Sequence, residues 1–152
     1  MKKLSLFLAL ALLFSINTIS QNIDEIDGIY YADSTPYTGE YVSYFDNGNT
    51  KMKVNFVKGI KTGETRVYFE TGELNEIRGY KNDKMHGSWV TYNEKNIKVG
   101  LANYKDGLKH GEWKVWDDNG NLLYEMNYTN GKKAGTWKKF DAEGNLLSKR
   151  KF

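Results

Sequence analysis

The chain has 152 residues, of which 39% are hydrophobic and 14% aromatic, and it has no cysteine, which excludes disulfides and thiolate metal sites. Its formal net charge is +3, and setting aside the two lysines of the first twenty residues leaves 20 basic and 19 acidic groups, or +1. That balance excludes a nucleic-acid binder recognised by charge alone. Fifteen glycines, eleven tyrosines and a single proline favour short strands joined by tight turns.

Residues 1–20 are predicted to be a cleavable secretory signal peptide. Lys2 and Lys3 form a positive n-region, and residues 4–14 form an apolar stretch that is shorter than the roughly 20 residues needed to cross a bilayer. Small Thr18 and Ser20 then occupy the −3 and −1 positions of a cleavage site. The alternative is a buried N-terminal helix. The signal peptide predicts export to the periplasm, the outer envelope or the medium, and the lack of a following cysteine excludes a lipoprotein anchor.

Residues 21–38 are predicted to be a partial repeat that caps the edge of a sheet. Gly28, Tyr30 and Tyr37 resemble fragments of the units that follow. Pro36 has no amide hydrogen to give to a strand ladder, so it suits an edge or a turn.

Residues 39–152 consist of five tandem copies of a 24-residue unit, which is the strongest pattern in the sequence. Positions within a unit are counted from its first glycine. The repeat glycines are Gly39, Gly63, Gly87, Gly111 and Gly135. An aromatic residue stands at +5 in every unit, as Tyr44, Tyr68, Tyr92, Trp116 and Phe140. Another stands at +17, as Phe56, Tyr80, Tyr104, Tyr128 and Phe152. The +2 position holds Tyr41, Thr65, Trp89, Trp113 and Trp137.

Each unit is predicted to be a strand, a turn, a second strand and a second turn. In the fourth unit, strand formers at 112–116 precede Asn119-Gly120, where both turn residues are expected at positive φ, and a second strand at 122–128 precedes Asn130-Gly131. Short connections favour antiparallel neighbours, which predicts an all-β, open antiparallel meander of about ten strands and about 50 Å. The third unit has Asn96 where the others have a turn glycine, so its hairpin is expected to be looser.

The aromatic residues are predicted to stabilise this thin sheet. Rings at the same position of successive units are expected to stack into ladders, and because +2 and +5 have opposite parity, both faces are expected to have aromatic rows. The repeat glycines are expected to lie under a neighbouring ring or at positive φ. The row Trp89, Trp113 and Trp137 is a candidate binding surface for sugars or peptides, or else it only packs the ladder.

The same residues resemble a known repeat family. The matching motifs are Pro36-Tyr37-Thr38-Gly39, Tyr44-Phe45-Asp46-Asn47-Gly48, His86-Gly87-Ser88-Trp89, His110-Gly111-Glu112-Trp113 and Trp116-Asp117-Asp118-Asn119-Gly120. They are similar to the MORN repeat variant, in particular the bacterial type labelled YwqK-like antitoxin, over about residues 28–152. The resemblance implies an elongated antiparallel β-repeat sheet used in protein or membrane contacts, and the antitoxin label implies neutralising a toxin by binding it.

Catalytic and metal chemistry are not predicted. His86 and His110 occupy equivalent positions in a meander, which places them two strands, or about 9–10 Å, apart and too far for one zinc ion. The sequence has no nucleophile elbow and no phosphate-binding loop, and Asp117-Asp118 fits turn chemistry. We therefore predict no enzyme, no cofactor and no metal.

The leading functional hypothesis is an exported, non-catalytic module that binds or scaffolds a protein at the cell envelope. One alternative is an antitoxin or immunity protein, and another is a module that binds carbohydrate or a membrane surface. Residues 81–152 have 14 basic and 9 acidic groups, so the basic C-terminal end is a candidate for contact with an anionic surface.

Overall fold

The structure, a computed structural model, describes residues 22–152. The predicted signal peptide lies outside the described residues. Between residues 22 and 152 every regular element is a β-strand, and all the strand pairs are antiparallel, which confirms the predicted fold class. No helix in this part of the chain is long and apolar enough to cross a membrane.

The strands form a small sheet near the N-terminus and one long sheet. The small sheet consists of β1 (Asp24–Ile26), β2 (Ile29–Ala32) and β3 (Thr35–Pro36). The long sheet consists of β4 (Gly39–Tyr44), β5 (Thr50–Val57), β6 (Ile60–Lys61), β7 (Gly63–Tyr68), β8 (Leu74–Lys81), β9 (Lys84–Tyr92), β10 (Lys98–Lys105), β11 (Leu108–Lys109), β12 (Gly111–Trp116), β13 (Leu122–Thr129), β14 (Lys132–Phe140) and β15 (Leu146–Lys151).

Strands of the long sheet lie beside their sequence neighbours. Ten of them follow one another from β4 at one edge to β15 at the other, while short β6 and β11 pair only with β5 and β10. The ten-strand meander predicted from the repeat is therefore confirmed. The sheet has little interior, since among the described residues the buried hydrophobic side chains are Val54 and Phe56 and the buried polar side chain is Thr65.

Two kinds of turn alternate along the sheet. The turns between units match the two-residue type with positive φ at both positions, as at Lys58 (52°) and Gly59 (77°). The turns within units differ from expectation. In Asn119-Gly120 only Gly120 has positive φ, at 87°, and its amide donates to the Asp117 carbonyl at 3.0 Å. The loop is therefore a type I turn followed by a glycine in the left-handed region, because the connection is longer than two residues.

Aspartates stabilise the within-unit turns of the last two units. Asp117 Oδ1 accepts the amides of Asn119 and Asn121, both at 2.9 Å. The side-chain hydrogen bond from Asn121 holds the pKa of Asp117 below its ordinary value, and Asn145 does the same for Asp141. The structure therefore gives these acids the turn role that the sequence predicts for Asp117.

The third unit does not have the looser hairpin that its missing glycine predicts. Asn96 takes the glycine position at φ 58°, and its amide donates to the Asn93 carbonyl at 2.9 Å. Asn93 Oδ1 also accepts the amide of Ile97 at 3.0 Å. Asparagine tolerates left-handed backbone, so the turn keeps the form it has in the other units.

Each repeat glycine after the first lies where the strand register is interrupted. Between the pairs Glu125↔Lys138 and Asn127↔Ala134, the single residue Met126 faces three residues, including Gly135 at φ 64°. Such a bulge needs a backbone conformation that favours glycine. The expectation of positive φ at these glycines is confirmed.

Residues 22–38 bind to the turn between β5 and β6. The Tyr30 amide donates to the Gly59 carbonyl at 3.0 Å, and the Gly59 amide donates to the Tyr37 carbonyl at 2.7 Å. The Tyr30 ring packs on Phe56 with centroids 4.6 Å apart. The small sheet therefore covers one turn and one ring of the first unit, while β4 remains at the edge of the long sheet.

We expect Gly59→Ala to loosen the contact between the small sheet and this turn. A Cβ at Gly59 would lie 2.5 Å from Ile29 Cγ2 and 2.7 Å from the Tyr30 carbonyl oxygen. Gly107→Ala is the matched control, since Gly107 has the same kind of φ and nothing within 4 Å of a Cβ. In hydrogen exchange, the Tyr30 amide should exchange roughly tenfold faster in Gly59→Ala, equivalent to about 1.4 kcal/mol. Equal protection of Tyr30 in the two variants would show that this packing is wrong.

Candidate functional site

One face of the long sheet has a continuous ladder of aromatic rings, and we call it the ladder face. Seven rings, six from neighbouring strands and one from the residue that follows β15, pack against one another at tilted angles in the order Tyr80, Trp89, Tyr104, Trp113, Tyr128, Trp137 and Phe152. Their centroids are between 4.8 and 5.6 Å apart. Rings from two repeat positions, +2 and +17, alternate along it. The expectation that rings at the same repeat position pack on each other is wrong. Equivalent residues lie two strands apart, and a ring from the strand between them separates them.

Each tryptophan of the ladder is fixed by a hydrogen bond from its indole nitrogen. Trp89 Nε1 donates to the Gly79 carbonyl at 3.0 Å, and Trp113 Nε1 donates to the Asn103 carbonyl at 3.0 Å. Trp137 does the same with the Asn127 carbonyl, also at 3.0 Å. The acceptor is always ten residues earlier, so the repeat sets the orientation of every indole. The Tyr104 ring lies between two of these indoles. Burial raises the pKa of its hydroxyl, and nearby Tyr128 adds to that effect.

Lysines lie over the ladder rings. Lys109 Nζ is 4.4 Å from the Trp113 centroid and 5.0 Å from the Tyr128 centroid. Lys133 Nζ, one unit later, is 4.6 Å from the Trp137 centroid and 5.0 Å from the Phe152 centroid. Contacts of this kind contribute about 0.5–1 kcal/mol at exposed sites. They hold positive charge at fixed places beside half-exposed rings.

Most of the charged residues that strand alternation and register place on the ladder face are positive. Tyr104 is paired with Lys109, Tyr128 with Lys133, and Trp137 with Arg150, and paired residues share a face. The cations so placed in the strands of the long sheet are Lys61, Arg78, Lys109, Lys133, Lys139 and Arg150. Glu76, paired with Val67, is the acid that shares this face. The ladder face is therefore both aromatic and cationic.

The opposite face has a different character. Its ion pairs join neighbouring charged residues, as in Lys114–Glu112 at 2.7 Å and Lys138–Glu125 at 3.4 Å. By strand alternation this face also has the +5 aromatic residues Tyr44, Tyr68, Tyr92, Trp116 and Phe140. These rings occur in every second strand of the ten-strand path, and Lys98 Nζ lies 4.5 Å from the Trp116 centroid. The exposed ion pairs of this face contribute little to the stability of the sheet.

The three tryptophans singled out from the sequence lie together on the ladder face. Trp113 has rings on both sides, with centroids 5.2 Å away at Tyr104 and at Tyr128, and Trp89 and Trp137 are flanked in the same way. The neighbouring rings are tilted against each indole, and the three tryptophan side chains remain half-exposed. The surface next to them is more accessible, since Val115, Tyr124 and Phe152 are exposed by 37%, 37% and 40%.

Sequence reasoning did not find the lysines that accompany the ladder. Lys109 and Lys133 are 24 residues apart, which is the repeat period, so the pattern was present in the sequence. Their role depends on register, because they approach rings of the next strands only after the turn between units has folded. The sequence shows Thr65 as the one non-aromatic residue at +2. It does not show which side chains surround Thr65, because these include residues of the small N-terminal sheet.

The two histidines connect one unit to the turn of the next. His86 Nδ1 is 3.4 Å from the Asp106 amide nitrogen, which donates to it, and 3.3 Å from Asp106 Oδ1. His110 Nδ1 accepts the Asn130 amide in the same way at 3.5 Å. The histidines therefore have equivalent contacts set by the repeat.

A comparison with protein families finds a match to the model described as the MORN repeat variant. The matched segments are residues 37–58, 61–82, 109–130 and 133–152, and together they make up more than half of the chain. Each begins about two residues before a repeat glycine, and the third unit lies between the second and third segments. No curated protein matches the chain significantly.

We expect substitutions at Trp113 to separate stacking from hydrogen bonding. Trp113→Phe keeps a ring but removes the donor to Asn103, which should lower the free energy of unfolding by about 1 kcal/mol. Trp113→Ala also removes both ring contacts and should cost about 3 kcal/mol. Urea denaturation measures both, with Trp116→Phe on the opposite face as the control. Equal losses in the two Trp113 variants, or an equally large loss in the control, would contradict the ladder as the main source of stability.

Proposed function

We propose that this chain, which belongs to the MORN repeat variant family, is a non-catalytic binding module whose ladder face docks an acidic protein partner. Repeats of this family are generally protein- or membrane-binding modules. The observation that supports the proposal most strongly is the combination of a rigid row of rings with lysines and arginines fixed beside it.

The composition of the ladder face suits a protein interface. Tyrosine, tryptophan and arginine are enriched at interfaces, because large rigid rings give contact area at a low cost in side-chain entropy. The ladder crosses seven strands, or about 30 Å, which is long enough for a partner of ordinary interface size. Fixed positive charge favours an acidic surface and raises the rate of encounter with it.

The exposed part of the ladder face lies toward β15. Val115 and Tyr124 are paired across β12 and β13, and Phe152 follows at the end of the ladder, 5.0 Å from Lys133 Nζ. An acidic partner seated here would cover these apolar side chains while its carboxylates approach Lys109, Lys133 and Arg150. This also gives the basic C-terminal end a role in the same contact.

Export and an immunity role are finer proposals that rest on the sequence. Residues 1–20 have the pattern of a signal peptide, so we propose that the mature protein begins at Gln21 and acts in the envelope or outside the cell. N-terminal sequencing of protein from the envelope and cytoplasmic fractions measures this, and an uncleaved chain found only in the cytoplasm would disprove it. The antitoxin resemblance adds the proposal that the partner is a toxin directed at the envelope.

Crosslinking in the source cells, followed by capture of the tagged full-length protein and mass spectrometry, tests the protein-binding role. The test variant Lys109→Glu/Lys133→Glu reverses two exposed charges on the ladder face. The control Lys105→Glu/Lys132→Glu makes the same change on exposed lysines that strand alternation places on the other face. We expect one stoichiometric acidic protein to be captured, with recovery at least tenfold lower in the test variant and unchanged in the control.

Other outcomes would overturn the proposal. Equal recovery from both variants would exclude the ladder face as the contact. If the captured material is lipid without protein, and the unmodified protein binds vesicles of phosphatidylglycerol but not of phosphatidylcholine, then the chain binds a membrane surface. Recovery with glycan alone would favour the carbohydrate alternative.

A further inference from the structure

The fifth unit departs from the repeat at three positions of the ladder face. It has cations two residues before the repeat glycine and four and fifteen residues after it, as Lys133, Lys139 and Arg150. The residues at these positions are Tyr37, Ser43 and Val54 in the first unit, Lys61, Val67 and Arg78 in the second, Met85, Thr91 and Ala102 in the third, and Lys109, Val115 and Met126 in the fourth. Because equivalent positions have equivalent places in the scaffold, three cations at once are not required by the fold.

The three cations line one open cavity, which we call the cationic cavity. It has a volume of about 280 Å³, close to the lower end of the range of small-ligand sites. Tyr124 and Phe152 also line it, and their side chains are exposed by 37% and 40%. The cavity therefore brings positive charge next to apolar side chains that a ligand can reach.

The cations lie at two ends of the cavity. At one end Lys133 Nζ and Arg150 Cζ are each 5.0 Å from the Phe152 centroid. At the other end Lys139 Nζ is 5.8 Å from the Tyr124 centroid. These contacts fix where each cation lies but do not neutralise it, because an aromatic ring has no net charge.

In the described part of the chain, none of these three cations forms an ion pair. The carboxylates that form ion pairs there are bound to other residues. Lys138 also lines the cavity, but its ammonium is bound to Glu125 at 3.4 Å. Like charges gathered around one cavity repel one another, and a bound anionic group would relieve that repulsion.

The second unit shows how such a charge is balanced within the sheet. Its Arg78, which is equivalent to Arg150, forms an ion pair with Glu76. The fifth unit has Ser148 at the position of Glu76. Ser148 lies opposite Lys139 and lines the cationic cavity, so a neutral hydroxyl stands where the second unit has an acid. The fifth unit therefore lacks an internal anion for its arginine.

We propose that the cationic cavity binds an extended acidic segment of a partner protein, with aspartate or glutamate at alternate positions. Arg150 lies opposite Trp137, two residues before Lys139, so the two cations are about 6.6–6.8 Å apart along the strand direction. An extended segment running along β14 presents alternate side chains on one side at the same step. One carboxylate would pair with Lys139, and the next would accept two hydrogen bonds from Arg150 and lie beside Lys133.

This inference rests on the proposed function, since it names the element by which the acidic partner is recognised on the ladder face. Short peptides test the cavity without any partner. A cavity that binds no peptide would leave the capture of an acidic protein from cells unchanged, and a failed capture would leave peptide binding unchanged. The two proposals can therefore fail separately.

Titration of the 15N-labelled mature protein with the capped peptide Gly-Glu-Thr-Glu-Gly, followed by amide NMR, tests the cavity. We expect saturable shifts at Lys139, Ser148 and Arg150, and none at Thr91 and Ala102, which occupy equivalent places in the third unit. The capped peptide Gly-Glu-Glu-Thr-Gly has the same composition, but adjacent side chains of an extended chain point to opposite sides. It should bind at least about fivefold more weakly, because only one of its carboxylates faces the cavity.

Ser148→Glu gives the fifth unit the acid that the second unit has in Glu76. We expect the new carboxylate to pair with Arg150 and to weaken binding of the alternating peptide at least about tenfold. The variant should still fold, since the second unit accommodates the same residue. Ser148→Gln has nearly the same size without the charge and should bind as the parent does. Undiminished binding in Ser148→Glu, or an equal loss in the two variants, would contradict the cavity as the site.

Arg150→Gln and Lys149→Gln separate the cavity from the general positive charge of this part of the sheet. Lys149 is paired with Lys138 and lies on the opposite face, so it is the matched control. We expect Arg150→Gln to weaken binding of the alternating peptide at least about tenfold and Lys149→Gln to weaken it less than about twofold. Equal weakening by the two variants, or equal binding of the two peptides by the parent, would overturn the proposal.

Discussion

Contact between aromatic rings across a single strand spacing is the interaction on which the long sheet depends. The sheet is one layer thick, and among the described residues the buried hydrophobic and polar side chains are Val54, Phe56 and Thr65. Apolar area is therefore buried between neighbouring side chains on one face. The turns between units set the spacing, the bulges at the repeat glycines set the register, and the indole hydrogen bonds hold the rings at about 5 Å.

This arrangement joins stability and binding on the same surface. A ladder ring is covered on both sides by its neighbours, but its edge and the residues beside it remain accessible. Lysines in the strands that follow the turns between units lie over the rings, so the rings that stabilise the sheet also fix positive charge. Where Thr65 replaces a tryptophan, Tyr30 of the small N-terminal sheet packs on Phe56, and Thr65 is buried. One repeat pattern thus produces an extended face that is both aromatic and positively charged.

Much of the fold could be predicted from the sequence, because the 24-residue repeat places strand formers, turn residues and a glycine at the same positions in every unit. The alternation of Trp113 and Tyr128 within one ladder was not predicted, since it depends on how far each bulge shifts neighbouring strands. The looser hairpin expected at Asn96 is not found, because asparagine tolerates the left-handed backbone that glycine usually adopts. The surroundings of Thr65 were not predicted either, because they depend on how the small N-terminal sheet places Tyr30 on Phe56.

We expect the ladder to make the strands from β8 to β14 a single cooperative unit. Native-state hydrogen exchange under increasing denaturant measures this directly, because it reports the free energy of opening at each amide. In a cooperative unit, the slowest amides of β8, β10, β12 and β14 open with one common free energy and one common dependence on denaturant. Separate free energies for each hairpin, falling steadily toward β15, would show that the units are independent and that the ladder does not unite them.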